Sequence, residues 1–335
     1  MTASKGPRRT ERVPELLPLY HRVLLELESL ALTTALSDTT PIPTEAQLME
    51  RYAVSRGTVR RAIDELVRQG LLRAEAGRGT FVNKRVQVRR RVVDRLIGVA
   101  IPDSRFDLDV LQFVPDFLGS AAAQDRLRSL KWYRDATTVF IAPDNSLERL
   151  RRLALDDGKR IIVPTYGLRR GMVLLAPRSV RPAARSAAAT LDGMERHGRS
   201  LALDDLRALG SVDLLVTGAT AVSTDGVHVG GGQAYLDLEW GLLAELGVVE
   251  EATPVVAIVH PCQLIEQGLA PGPFDLTVDV IATPHEIIRT HRVHPRPAGI
   301  GWDSLSIDLQ TRVAYLADLA DRGRTTPQPR GHHER

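Results

Sequence analysis

Two hydroxyl residues, Thr44 and Ser55, each stand at the head of a short helical pattern, and Gly70 closes the second pattern. Thr44-Glu45-Ala46-Gln47 has the Thr-x-x-Gln form of a capping box, which satisfies the first free N–H groups of a helix and predicts one running to about Tyr52. Ser55 is placed to cap the next helix, to about Gln69, and Val59, Ala62, Ile63, Leu66 and Val67 fall on one face of it. Only Ala53 and Val54 separate the two helices, so the turn between them must be tight. An earlier helix is predicted over Leu16–Leu30, ended by the polar stretch Thr33–Thr40 with Pro41 and Pro43. After Gly70, Leu71–Glu75 and Thr80–Asn83 can pair around Ala76-Gly77-Arg78-Gly79, whose glycines permit a hairpin. Two short helices with a tight turn and then a small hairpin make a winged helix-turn-helix, an α+β unit.

The charge is divided in the same way. Residues 1 to 95 carry 18 Lys and Arg against 11 Asp and Glu, a net of +7, whereas the remaining 240 carry 26 against 30. A basic first quarter is suited to a polyanion, and the mildly acidic remainder to another task. With 43% hydrophobic and 25% charged residues in 335, wholesale disorder is excluded and two domains are expected. Charges interrupt every apolar run well before the ~18 residues of a membrane helix. The N-terminal stretch lacks an apolar signal core, and the single Cys262 excludes an internal disulfide or a Cys-rich zinc site, so a cytoplasmic location is expected.

Four segments follow: a DNA-binding domain at 12–83, a basic linker at 84–95, an α/β domain at 96–321 and a disordered tail at 322–335. The linker run Lys84–Arg91 reads as a solvated connector, with a supplementary phosphate contact as the other reading. In the α/β domain, strands are predicted at Val139–Ala142, Arg160–Val163, Val173–Leu175, Val212–Thr217, Val255–Val259 and Val278–Ala282. Helices are predicted at Leu147–Asp157 and Tyr235–Leu246. Continuous apolar strands alternating with helices predict a layered α/β sandwich on a largely parallel sheet.

The segment from Ile42-Pro43-Thr44-Glu45 through Val54-Ser55-Arg56-Gly57-Thr58-Val59-Arg60 to the wing Gly77-Arg78-Gly79-Thr80-Phe81-Val82 resembles the DNA-binding domain of GntR-family bacterial regulators. The resemblance covers about residues 16–83. It implies that Arg56 and Arg60, which share one helix side, read bases, while Ser55 and Thr58 hold phosphate. Gly57 then permits close backbone approach. Arg61 lies on the same outward face as Arg56 and Arg60, Thr44 and Gly79 are further expected DNA contacts, and Gly77 and Arg78 would reach the neighbouring minor groove or its phosphates. Ala46 stands where the family often has a basic residue. The family's use of pseudo-palindromic operators in double-stranded DNA implies a homodimer.

A second resemblance covers about residues 96–305. The runs from Thr137 to Leu175, Val212 to Val249, Thr253 to Glu266 and Val278 to Ile288 are similar to the 5-formyltetrahydrofolate cyclo-ligase family, particularly its methenyltetrahydrofolate synthase domain branch. That family has a three-layer, Rossmann-like (cyclo-ligase/NagB-type) fold and uses ATP with Mg²⁺ to close 5-formyltetrahydrofolate. Its glycine loop maps to Gly230-Gly231-Gly232-Gln233-Ala234-Tyr235-Leu236-Asp237. The resemblance implies that Gly230, Gly232 and Tyr235 bind ligand and that Asp237 holds ligand or metal, with His260 and Gln263 lining the cleft. Four features depart from the pattern. Ala234 replaces the last glycine, and Gly231 stands where this branch usually carries Lys. Ala270–Asp275 keeps only Asp275 of the family's acidic-histidine motif, and Phe106–Gln112 lacks the basic residues that grip ATP. The chain therefore reads as a DNA-binding regulator whose second domain senses a folate or nucleotide and mediates assembly, with no confident catalytic residue. The alternative is a bifunctional enzyme using ATP and Mg²⁺. His285, His291 and His294 read as loop or surface residues, not a metal site.

Overall fold

The computed structural model describes residues 18–33, 40–102, 114–231, 234–265, 269–292 and 294–325. The chain divides into two compact units, residues 1–91 and 92–335.

The first unit contains α1 (Leu19–Thr33), α2 (Glu45–Tyr52), α3 (Arg56–Arg68), β1 (Leu72–Glu75) and β2 (Gly79–Val82), with α4 (Lys84–Leu96) running on across residue 91. Both halves of the capping box form: the Thr44 N–H donates to Gln47 Oε1 at 2.8 Å, and the Gln47 N–H to Thr44 Oγ1 at 3.3 Å. The tight turn is made by Ala53, which takes the left-handed conformation at φ 51° and donates its N–H back to the Met49 carbonyl. A non-glycine residue there costs roughly 1–2 kcal/mol, which the packing on either side offsets. Val23, Leu27 and Ala31 of α1 join Leu48, Val59, Ala62, Ile63 and Leu66 in one core, with Val67 at its margin. β1 and β2 pair antiparallel with Leu72 opposite Val82 and Glu75 opposite Gly79. Gly77 at φ 73° supplies the left-handed position in the connecting loop.

Two boundaries differ from expectation. The first helix begins at Leu19 and continues to Thr33, whose hydroxyl donates to the Ser29 carbonyl at 2.8 Å; Leu16 and residues 12–17 lie outside the described residues. The reading of 84–95 as a solvated basic linker is overturned, because the segment is the helix α4. Val88, Val92, Val93 and Leu96 make a buried helical stripe that the dense arginines obscure in the sequence. Gln87 Nε2 donates to the Ala31 carbonyl at 2.6 Å, the Arg91 side chain donates to the Leu32 carbonyl, and Arg90 pairs with Glu28. The end of α1 is thereby satisfied by α4.

The second unit is built on strands β3 (Thr138–Ile141), β4 (Arg160–Pro164), β5 (Met172–Leu175), β6 (Arg199–Leu201), β7 (Leu214–Thr217), β8 (Ala221–Ser223), β9 (His228–Val229), β10 (Val255–Ile258), β11 (Leu264–Ile265), β12 (Val280–Ala282) and β13 (Ile287–Arg289). Eight of them form one sheet in the order β13-β12-β10-β7-β3-β4-β5-β6, while β11-β8-β9 form a small second sheet. The pairs β3/β4, β3/β7, β7/β10 and β10/β12 are parallel, and β5, β6 and β13 extend the sheet antiparallel. In chain order the parallel strands lie 2-1-3-4-5, the doubly wound arrangement whose switch point falls between β3 and β7. All six predicted strands are present, shifted by two residues at most, and the predicted helices appear as Glu148–Asp156 and Tyr235–Glu245. Expectation missed the antiparallel β6 and β13, the small sheet and the helix Ser120–Ser129.

The tail also differs from expectation. Helix Ala314–Thr325 takes in residues 322–325, which were assigned to disorder, and 326–335 lie outside the described residues. The Tyr315 hydroxyl donates to the Leu201 carbonyl and accepts the Met172 N–H at 2.8 Å, so it ties this helix to β5 and β6. Gly171 must lack a side chain here, since a Cβ would lie 2.5 Å from the Tyr315 ring. Tyr315→Phe leaves two buried backbone groups without this partner and is expected to destabilise the second unit by about 1–3 kcal/mol; equilibrium urea unfolding measures it.

Candidate functional site

The two units each present one site. In the first, α3 turns Arg56, Gly57, Arg60 and Arg61 outward while its opposite stripe is buried. Ser55 caps the helix: its Oγ accepts the Thr58 N–H at 3.2 Å and shares a 2.9 Å hydrogen bond with Thr58 Oγ1. Both hydroxyls thus lie at the exposed helix head, beside the partial positive charge that attracts phosphate. Thr44 heads α2 in the same manner.

The arginines are not equivalent. Arg56 Nε pairs with Glu45 Oε2 at 2.6 Å, which draws that guanidinium towards the head of α2. Arg61, exposed on the outward face, has its guanidinium 4.2 Å from the centre of the Tyr20 ring of α1. Arg60 remains exposed on the outward face. In the wing, Arg78 pairs with Glu75 and lies 5.7 Å from the Phe81 ring. Gly77 has open space around it, whereas a Cβ on Gly79 would sit 3.1 Å from Pro41. Glu45, Tyr20 and Glu75 are the contributors that sequence reasoning missed. Their spacings to the arginines, except Glu75 to Arg78 at i,i+3, carry no local signal.

In the second unit, the carboxyl ends of β3 and β7 are bridged at the switch point, the place where doubly wound sheets form a ligand crevice. Asp144 follows β3, and its Oδ2 accepts the N–H of Gly218, which follows β7, at 2.8 Å. A Cβ on Gly218 would lie 2.9 Å from that oxygen, so glycine permits the bridge. Arg151, fully buried, donates to the carbonyls of Ala142 (2.7 Å), Asp144 (3.1 Å) and Ala189 (2.7 Å) and fixes the same turn from below. His228 Nε2 contacts the Gly218 carbonyl at 2.9 Å. Burial pushes the Asp144 carboxyl above the ordinary carboxylate range, countered only by the Gly218 N–H and the Arg151 charge. Glu239 is buried as well; burial and the nearby Asp144 and Asp237 push its carboxyl well above that range.

The expected ligand residues are distributed around this crevice unevenly. Tyr235 begins the helix Tyr235–Glu245 and packs over Gly167, where a Cβ would lie 3.1 Å from its hydroxyl. Asp237 Oδ1 accepts the Leu276 N–H at 2.7 Å, which ties the helix head to the following loop. Gly230 borders His228, and Gly232 lies outside the described residues, as do Gln233 and residues 106–112. Ala234 was expected to resist a glycine conformation, yet it adopts φ 51°, ψ 28°. The glycine-type backbone is therefore kept in spite of the Cβ.

His260 lies half-buried, edge-on to Phe117 at 5.8 Å, with its Nδ1 accepting the Cys262 N–H at 3.2 Å. Burial and the nearby His285 hold this imidazole below its ordinary range. Gln263 does not face an open cleft: it is fully buried, its Oε1 accepts the His260 N–H at 2.6 Å, and its Nε2 donates to the carbonyls of Ala219 and Thr220. It stitches β10's exit to β7's exit.

ATP with Mg²⁺ fits these residues poorly. Among the described residues no three His, Cys, Asp or Glu side chains are grouped to hold a metal, and the Asp237 carboxylate takes a backbone N–H. No lysine stands at position 231, and Arg151 spends its Nε and Nη1 on carbonyls, its buried Nη2 making no hydrogen bond. No described helix is long and apolar enough to cross a membrane.

Comparison with known proteins divides the chain at residue 82, ahead of α4, whereas the two compact units divide within that helix. Residues 19–82 match the bacterial regulatory proteins, gntR family, and residues 82–284 match the 5-formyltetrahydrofolate cyclo-ligase family. A methenyltetrahydrofolate synthase domain-containing protein of Mus musculus is 34% identical over 240 residues, covering 70% of this chain and 63% of its own length. The chain thus spans less than two thirds of that curated relative. The HTH-type transcriptional repressor NagR of Bacillus subtilis (strain 168) is 38% identical over 68 residues, 20% of this chain and 28% of its own. The solved structure of AraR(DBD) in complex with operator ORR3 is 40% identical and covers 24% of this chain and 95% of that one, with a TM-score of 0.20.

The Asp144 carboxyl gives a pH test. Its folded value is raised, so the proton it keeps favours the fold below the ordinary carboxylate range, and this contribution is lost as pH rises through the raised value. Asp144→Asn retains an acceptor for Gly218 and is expected to flatten this part of the stability profile, measured by urea unfolding from acid to neutral pH.

Proposed function

Because the chain belongs to the 5-formyltetrahydrofolate cyclo-ligase family and carries a GntR-type winged helix ahead of that domain, we propose that it is a sequence-specific transcriptional regulator whose cyclo-ligase-like unit senses a small ligand. The observation that carries the reading is the outward row on α3, where Arg56 and Arg60 project from a helix with a capped head and a fully buried opposite stripe. A helix held in this way enters a major groove by its first turns, and an arginine there can grip guanine O6 and N7 together. Ser55 and Thr58 then hold phosphate, and the Gly77–Gly79 wing reaches the neighbouring groove. Double-stranded, pseudo-palindromic operator DNA is the partner, read by a homodimer in the cytoplasm.

In the second unit the effector is a folate or a nucleotide held near Gly230, Tyr235, Asp237 and His260. The ligand acts by binding the DNA-competent and DNA-incompetent states with different affinity. The second unit is a binding module in this reading. Retention of the glycine-type conformation at Ala234 favours the alternative that it turns over 5-formyltetrahydrofolate with ATP.

Arg60→Ala is expected to weaken operator binding by roughly 1–3 kcal/mol and relax base preference at one position. Loss should also depend steeply on salt. Fluorescence anisotropy on operator fragments measures both, and unchanged affinity in Arg60→Ala and Arg56→Ala would overturn the reading. Formation of methenyltetrahydrofolate with ATP and Mg²⁺, abolished by Asp237→Ala, would establish the enzyme instead.

A further inference from the structure

We infer that the second unit carries its own contact surface for the phosphate backbone of double-stranded DNA, on the elements that surround β5 near the edge of its sheet. The inference goes beyond the winged helix and rests on the regulator reading only in that the first unit brings DNA to the chain. Residues 169–199 hold seven arginines against Asp192 and Glu195, whereas the other residues from 96 onward carry 19 Lys and Arg against 28 Asp and Glu. This positive charge is gathered in space. The helix Leu191–His197 packs over β5: a Cβ on Gly198 at its end would clash with Val173, and Arg170, ahead of β5, pairs with Glu195 at 2.5 Å. The helix Arg185–Ala188 lies beside it, since a Cβ on Gly193 would clash with the Ala187 carbonyl.

Three neighbouring acids are already matched. Glu195 takes Arg170, Asp205 takes Arg199, and Asp156 takes both Arg152 and Arg185. Arg169, Arg178, Arg181 and Arg196 are exposed and make no hydrogen bond or ion pair with any described residue. They lie before β5, after it and on the helix above it, so the band they form is at least as long as that strand, about 14 Å. A band of that length runs alongside about four phosphates of one DNA strand. Side-chain chemistry selects the partner. All seven are arginine, with no lysine, and the planar guanidinium fork meets phosphate oxygens with two parallel N–H bonds. The segment has no Phe, Tyr or Trp on which an unpaired base could stack, which disfavours single strands. It exposes no large apolar side chain to enter a bilayer. A regular duplex backbone is the phosphate array that remains, and contacts of this kind carry no base preference.

Fluorescence anisotropy of the full chain on a long random-sequence duplex, across a salt series, tests this. The variant carries Arg169→Gln, Arg178→Gln, Arg181→Gln and Arg196→Gln together, changes at exposed positions with no described partner to lose. Affinity at physiological salt is expected to fall about tenfold or more, and the slope of log affinity against log salt to flatten by about 3 to 4, close to 0.9 for each phosphate released. An unchanged thermal unfolding midpoint confirms the fold. The same fall should recur when these changes are added to Arg56→Ala with Arg60→Ala, which separates it from the winged helix. Affinity and slope unchanged by the four substitutions would overturn the inference and leave the regulator reading standing. A fall on the four substitutions with no effect of Arg56→Ala and Arg60→Ala would support the inference and remove the regulator reading. Absence of duplex binding by the unaltered chain, or binding to phosphatidylserine vesicles in its place, would overturn the inference, the latter in favour of lipid phosphate.

Discussion

A guanidinium with no solvent exposure, Arg151, organises the carboxyl edge of the main sheet. It sits on the first crossover helix, after β3, and its donors run to the carbonyls of Ala142 and Asp144 on one side and Ala189 on the other. Burying such a charge is tolerable only when its hydrogen bonds are made by the surroundings. The backbone at the end of β3 is thereby locked, and Asp144 can reach across to the Gly218 N–H beyond β7. Gln263 adds a tie from beyond β10 to Ala219 and Thr220. Three parallel strand ends thus become one shaped edge, and the crevice inherits its form from bonds that no ligand needs to make.

The first unit obeys a different constraint. Its core is small, and local caps add to that packing by satisfying the helix ends. Thr44, Gln47 and Ser55 do this through bonds of three-residue reach, which is why α2 and α3 were legible in the sequence to within a residue or two, whereas the uncapped α1 was displaced by three. The parallel strands were equally legible, being unbroken apolar runs buried on both faces. What escaped were elements defined by distant partners. β6 (Arg199–Leu201) pairs only at its edge with β5, and its composition carries little strand character.

The candidate sites show the same division. The residue types and spacing on α3 gave the outward row directly, but the pairing of Arg56 with Glu45 and the stacking of Arg61 on Tyr20 depend on how three helices cross. In the crevice, Asp237 was recognisable by its motif, whereas Asp144 and Glu239 were not. Asp144 lies 93 residues from Asp237 in the chain, and only the 2-1-3-4-5 strand order brings their neighbourhoods together. Gln263 had the right location and the wrong role, because nothing in a sequence says whether an amide faces a ligand or a neighbouring backbone.

The helix α4 bears on how the chain can be divided. A fragment ending at Asn83, where the wing motif closes, would strip Gln87 and Arg91 from the carbonyls of Ala31 and Leu32 and Arg90 from Glu28. The last turn of α1 would then lose these partners for its carbonyls, and its helix would fray from that end. The first unit is therefore longer than its family motif, and residues 84–91 belong to its packing rather than to a tether.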